Sequence, residues 1–316
     1  MANVILFGEP MALLTADTPG KLEDICHFSR SMSGAEVNVA IGLTRLGHHA
    51  QYLTRLGDDP FGRYIEGALK SSGIGTEFIT VDPVYRTGIQ LKNRTTDGSD
   101  PYAPYYRKGS AASHISAAEI DALDLDGVDL VHVTGIPPAL SESARAATHR
   151  LMDRAREAGI FVTFDPNLRP ALWENEETMR QVLNELAKKA DLVLPGIAEC
   201  EVLAGTADPE KAAAFFLDKG PKAVIIKDGS DGAYLFTAEG STKVPGYKAE
   251  KVVDTVGAGD GFAVGVISGL LEGLPMEEGV RRGNAIGCIQ VMTAGDNEGL
   301  PTTEQLQAFM ERRDAD

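Results

Sequence analysis

The chain has 316 residues, 43% of them hydrophobic, a formal net charge of −16 and a pI near 4.8. That length and apolar content suit one large α/β domain over residues 1–316 with a small appendage, and so acidic a surface argues against nucleic acid or an anionic membrane as a nonspecific partner. Cys26, Cys200 and Cys288 are widely spaced and lack ligand spacing, which predicts reduced thiols in a cytoplasmic protein; the opening residues lack the basic segment of a signal peptide, and no uncharged run approaches the roughly 20 residues of a membrane helix.

Residues 3–7 predict a buried first strand that ends at Gly8-Glu9. A charged residue at the carboxyl end of a central strand is either a loop residue or a ligand contact. Ser33-Gly34-Ala35-Glu36-Val37-Asn38-Val39-Ala40 is a glycine turn leading into a helix that Gly47 stops. His48-His49 has no partner at ligand spacing and is expected in a surface turn. A strand over 51–55, a Gly57-Asp58-Asp59 turn and a helix over 61–69 follow. From Thr76 to Tyr106 the pattern changes to short β-like runs at 78–81, 88–92 and 102–107, which predict a small β appendage. In such a strand Tyr105 and Arg107 would share a face.

Strands are expected at 129–134 and 160–165, around an amphipathic helix over 141–158. This alternation implies parallel strands joined by right-handed crossovers. His132 falls in a buried strand and reads as a core histidine. Asp165-Pro166-Asn167-Leu168-Arg169 then forms either a rigid loop or a binding element. A strand over 191–195 precedes Gly196-Ile197-Ala198-Glu199, and a strand over 223–227 precedes the turn signals Asp228-Gly229 and Asp231-Gly232.

The densest signal is Asp254-Thr255-Val256-Gly257-Ala258-Gly259-Asp260-Gly261-Phe262, which follows an expected strand end at 251–253. It runs into an uncharged segment, 262–271, apolar on several sides and therefore a buried helix. Backbone N–H groups at that helix start, with the helix dipole, make an anion site suited to phosphate. Asp260 in the first turn is either an ordinary N-terminal acid or a reacting carboxylate; the dipole is expected to keep it ionised and a weak base. A second helix is expected over 276–293, then a closing loop over 294–301 in which Asp296 reads first as a turn residue.

The stretch 254–262 resembles the C-terminal signature of the ribokinase-like (pfkB) carbohydrate kinases, and Gly34 to Ala40 resembles their N-terminal one. The resemblance covers essentially the whole chain. It implies a three-layer α/β/α sandwich with a mostly parallel central sheet, and a small β-sheet lid built from segments near 10–30 and 76–110. It also implies ATP and Mg²⁺ as cofactors. By the same resemblance Asp260 is the general base, the backbone of Gly257, Ala258 and Gly259 holds the transferring phosphate, and Glu9, Gly34 and Asn38 contact the sugar. Lys227, Gly229, Gly232, Thr255, Gly257, Gly259 and Asn284 would border the nucleotide. Glu199 would serve the metal, directly or through water, or cap a helix; Gly196 stands where the family has Asn, so that element is half-matched.

Tyr105-Tyr106-Arg107-Lys108-Gly109-Ser110-Ala111-Ala112 resembles the family's 2-keto-3-deoxygluconate kinases, and Asp165-Pro166-Asn167-Leu168-Arg169 with Trp173 resembles an element of its keto-acid and fructose kinases. Tyr105, Arg107, Asn167 and Arg169 are thus expected at the substrate, with Asp296 a weaker candidate. Two guanidinium groups suit a carboxylate. The expected reaction is phosphorylation of 2-keto-3-deoxygluconate at its 6-hydroxyl. A fructokinase or other hexose kinase, and a sensor that has lost catalysis, stay open as alternatives. A homo-oligomer is expected, with the exposed β lid as a candidate interface. No zinc site is inferred.

Overall fold

Val4 and Leu6 of the first strand, β1 (Asn3–Phe7), join one apolar cluster while Ile5 and Phe7 join another, and all four are buried. A strand apolar on both faces belongs inside a sheet covered by helices on both sides. The computed structural model, which describes residues 2–95 and 101–314, places β1 in that position. After it come β2 (Met11–Ala16), β3 (Phe28–Ser33), α1 (Ala35–Arg45), β4 (His49–Gly57), α2 (Pro60–Ser71), β5 (Ile79–Asp82), β6 (Ile89–Lys92) and β7 (Tyr105–Tyr106). The middle of the chain holds α3 (Ala117–Asp121), β8 (Leu130–Thr134), α4 (Pro137–Leu140), α5 (Glu142–Glu157), β9 (Phe161–Asp165), α6 (Glu176–Ala187), β10 (Leu192–Val193), α7 (Ile197–Ala204) and α8 (Pro209–Leu217). The last third holds β11 (Ala223–Lys227), β12 (Ala233–Thr237), β13 (Gly240–Val244), α9 (Ala258–Leu271), α10 (Met276–Val291) and α11 (Thr303–Asp314).

Nine of these strands form one sheet in the order β13-β12-β11-β10-β9-β8-β1-β4-β5. β11 to β5 in that order are parallel, and β12 and β13 fold back antiparallel. α1, α9, α10 and α11 contribute to the apolar cluster on one face, and α5, α6 and α8 to the cluster on the other. The result is an α/β/α sandwich. α9 and α10 pack backbone to backbone: a Cβ added at Gly265 would lie 2.2 Å from the Gly283 nitrogen, so only glycine permits the approach. A separate four-stranded sheet, β3-β2-β6-β7, is joined to β1 by a three-residue link and so stands at the carboxyl end of the large sheet.

Several elements differ from expectation. Residues 79–82, expected in the small sheet, instead extend the large one beside β4, where Thr54 to Gly57 supply parallel partners. The expected strand 102–107 shrinks to Tyr105–Tyr106, because Pro101 and Pro104 lack the N–H groups that a ladder needs. Residues 251–253 form no strand; Val252 and Val253 are exposed, and the Val253 N–H donates to the Val291 carbonyl at the end of α10. His48 is buried rather than on a surface turn, with Nε2 3.5 Å from Glu272, since the chain enters β4 directly after it. His132 is fully buried, and its ring shares a hydrogen bond with Thr163. Among the described residues no helix is long and apolar enough to cross a membrane.

Candidate active site

The carboxyl ends of parallel strands are where open α/β sheets bind ligands. Here β1 leads to Glu9, β8 ends in Thr134, β9 in Asp165 and β11 in Lys227, while the turn after β10 leads to Glu199. A cavity of about 700 Å³ opens above them, and Glu9, Gly34, Asn38, Tyr105, Arg107, Asn167, Arg169, Glu199, Asp260 and Asp296 all line it. A second cavity of about 390 Å³ is walled by Gly229, Gly232, Ala258, Asn284 and the apolar side chains of Tyr247, Phe262 and Val291. Lys227, Thr255 and Gly259 line both, so the two spaces meet across the first turn of α9.

That turn is shaped for close approach. Gly257 caps α9 at φ 77°, and a Cβ there would lie 2.3 Å from the Asp296 carbonyl oxygen. Both the left-handed backbone and the contact require glycine. The Val256 N–H donates to the Asp254 carboxylate at 3.0 Å, which sets the loop before the helix. Gly259 and Asp260 follow in the first turn, where a helix offers its own N–H groups no acceptor. These donors can hold an anion.

Asp260 accepts a 2.7 Å hydrogen bond from the Asn38 amide. Burial pushes its pKa up to about 6, and Asp165 adds to the rise; Asn38, Arg169 and Lys227 restrain it. Its place at the helix start predicted an ionised, weak base; burial instead raises the pKa by desolvation. Asp260 is the stronger base for this. Lys227 lies 2.6 Å from the Asp165 carboxylate, and a Cβ at Gly259 would lie 3.9 Å from its ammonium. Burial alone would favour loss of the lysine proton, but Asp165, Glu199 and Asp260 hold its pKa above the ordinary value. A fixed positive charge thus stands beside the α9 turn.

Arg107 differs from a free carboxylate clamp. It is buried, and both Nε and Nη2 lie 2.6 Å from one oxygen of Glu9, which is buried in turn. Glu9 therefore holds one edge of the guanidinium, which also stands over the Tyr105 ring at 5.3 Å. Arg169 is exposed at the cavity wall, with Nη1 donating to the Leu168 carbonyl. Both oxygens of Glu199 accept backbone N–H groups, from Gly196 at 2.7 Å and Leu168 at 2.9 Å. Glu199 thus caps the start of α7 and ties it to the loop after β9. Asp296 accepts from Lys92 of β6 at 3.0 Å, and the same ammonium lies 3.3 Å from Asp254. The Asn284 amide donates to the Val244 and Pro245 carbonyls, so its NH₂ is engaged by the backbone.

Sequence reasoning left several lining residues without a role. Glu36 is buried, its carboxylate accepts from the Thr134 hydroxyl, and burial pushes its pKa up to about 7. It sat inside the quoted glycine turn, as a charged residue between Ala35 and Val37 at the start of a helix of otherwise mostly apolar character, which was the available signal. Lys92 had none, because its two partners are 162 and 204 residues away. Among the described residues no group of three or more His, Cys, Asp or Glu side chains is placed to hold a metal ion.

The sequence model described as "pfkB family carbohydrate kinase" matches residues 1–303. The chain is 45% identical over 309 residues to 2-dehydro-3-deoxygluconokinase of Bacillus subtilis (strain 168), covering 98% of this chain and 95% of that one. It is similar to the crystal structure of a PfkB protein from Polaromonas sp. JS666, at 45% identity and a TM-score of 0.89, covering 98% of this chain and all (100%) of the other. It is also similar to fructokinase from Vibrio cholerae O395 in its fructose-, ADP- and calcium-bound form, at 27% identity and a TM-score of 0.85, covering 98% and 99% of the two chains.

Proposed function

The chain belongs to the pfkB family of carbohydrate kinases, and we propose that it transfers the γ-phosphoryl group of ATP to the terminal 6-hydroxyl of 2-keto-3-deoxygluconate. The observation that carries this reading is the meeting of a polar and an apolar cavity at the first turn of α9, with Asp260 lining the polar one. The substrate assignment draws on the similarity to the Bacillus subtilis enzyme and on two arginines lining the polar cavity.

In this reading the apolar cavity takes the adenine, and Thr255, Gly229 and Gly232 border the nucleotide. The cradle fits ATP: a Cβ at Gly257 would collide with backbone, and the Lys227 ammonium stands beside Gly259. Bound Mg-ATP supplies the phosphoryl group and neutralises phosphate charge. Glu199, which lines the polar cavity with both oxygens accepting backbone N–H groups, would serve the metal. The backbone of Gly257, Ala258, Gly259 and Asp260 holds the phosphoryl oxygens; one such prepositioned donor is worth about 3 kcal/mol of barrier. Asp260 takes the proton of the 6-hydroxyl, and its raised pKa suits a base working near neutrality. Asn38 positions Asp260, and Gly34 with Glu9 faces the sugar. Arg107, Arg169, Tyr105 and Asn167 hold the keto acid. The small sheet acts as a lid that excludes water.

One observation favours a second reading. Glu9 already neutralises Arg107, which reduces the charge available to a carboxylate and suits a neutral ketose such as fructose. ADP release with Mg-ATP on 2-keto-3-deoxygluconate, 2-keto-3-deoxygalactonate, fructose and ribose decides between them. A large kcat/KM preference for a keto acid supports the first reading. A preference for fructose overturns it. No turnover on any of the four, with ATP still bound, favours a sensor.

A further inference from the structure

An amide side chain can present either end to a neighbour. Asn38 presents its NH₂ to Asp260 at 2.7 Å, and its own oxygen accepts from the Asn297 NH₂ at 3.3 Å. If Asn38 turned over, its oxygen would face the Asp260 carboxylate and its NH₂ would face another NH₂. Both contacts would become repulsive. Asn297 therefore reinforces, from the far end of the amide, the orientation that the Asp260 carboxylate demands.

Asn297 is itself held on two sides. Arg45 of α1 donates from Nη1 to the Asn297 carbonyl at 3.0 Å and to the Leu300 carbonyl at 2.6 Å. On the other side the adjacent Asp296 is paired with Lys92 of the small sheet. The loop between α10 and α11 is thus pinned between a helix of the main domain and a strand of the small sheet, with one side chain directed at Asn38.

We propose that Asn297 is a positioning residue for the phosphoryl transfer, acting by fixing the Asn38 amide so that it donates to Asp260. This rests on the reading of Asp260 as the base. Arg45 and the Lys92–Asp296 pair hold the loop that carries Asn297. The other titratable groups that interact with Asp260 include Asp165, Arg169 and Lys227, with Glu36 of α1 and Tyr52 of β4; none of these touches Asn297 by a hydrogen bond or ion pair among the described residues.

The test is a double-mutant cycle with Asn38→Ala and Asn297→Ala, reading kcat and the acidic limb of kcat/KM against pH, with thermal unfolding and ATP binding as folding controls. Asn297→Ala alone is expected to lower kcat by about threefold to tenfold, the worth of one hydrogen bond. It should also move the acidic limb to higher pH, because a carboxylate that loses a donor is harder to ionise. In the Asn38→Ala background it should change neither. Additive effects, or an acidic limb that stays in place, overturn the proposal. If Asn38→Ala does not fold, Asn38→Leu replaces it in the cycle: Asn297→Ala should change neither kcat nor the limb in that background, and a change in either rejects the mechanism. Asp260→Asn separates the two layers. Near-normal turnover in that variant removes the base reading itself; lost turnover with an unresponsive Asn297 removes only the positioning role.

Discussion

Replacing Arg107 with alanine separates a structural role from a binding one. Arg107 and Glu9 are 7% and 2% exposed, and two guanidinium nitrogens sit 2.6 Å from one Glu9 oxygen, while the other oxygen has no hydrogen-bond partner. Removing the cation leaves a buried carboxylate without compensation, which costs about 3–5 kcal/mol. At about 2 °C per kcal/mol for a chain of this size, Tm should fall by roughly 6–10 °C. Removing both charges, as Glu9→Gln with Arg107→Met, should recover most of that loss, because a buried pair is often near neutral overall. Scanning calorimetry on the single and double variants measures this. The single variant should also raise KM for a keto acid by roughly 10- to 100-fold, the worth of one charge-assisted hydrogen bond, and change KM for fructose much less. A single variant as stable as the parent refutes the buried-pair argument. Equal KM changes on acid and neutral sugar refute the carboxylate assignment.

Below about pH 6, kcat/KM should fall tenfold per unit as Asp260 takes up its proton, which a pH–rate profile checks. Asp260→Asn should lower kcat by about 10²- to 10⁴-fold while ATP binding, read by calorimetry, stays close to normal. The same variant should be the more stable protein at pH 8. A carboxyl whose folded pKa is raised from 3.8 to about 6 destabilises the fold fully above the folded value, and that penalty fades as pH falls toward the unfolded value. The gain should be about 1–3 kcal/mol by urea titration at pH 8 and near zero at pH 4. Gly265→Ala should cost at least about 1–3 kcal/mol, because its Cβ would meet Gly283 backbone rather than a side chain that can move.

The amino-acid sequence by itself determined the alternation of strand and helix, the apolar character of β1 on both faces, and the glycine-rich start of α9 followed by an aspartate. These are written in residues a few positions apart: apolar periodicity, turn chemistry and the demand for glycine at φ 77° are local. Every residue proposed for the site lines one of the two cavities, because parallel topology carries strand ends to one edge and those ends were recognisable in the chain. What only the tertiary structure decided is which groups meet. Glu9 and Arg107 are 98 residues apart, Asn38 and Asp260 222, and Asn38 and Asn297 259. No local pattern encodes such pairs. They arise from sheet order and from the way α9 and the loop after α10 close over the strand ends. The raised pKa of Asp260 has the same origin, since the burial that raises it comes from elements distant in sequence. Residues 79–82 had the composition of a strand, yet whether they joined the small sheet or the large one was settled by the free edge that β4 offered them.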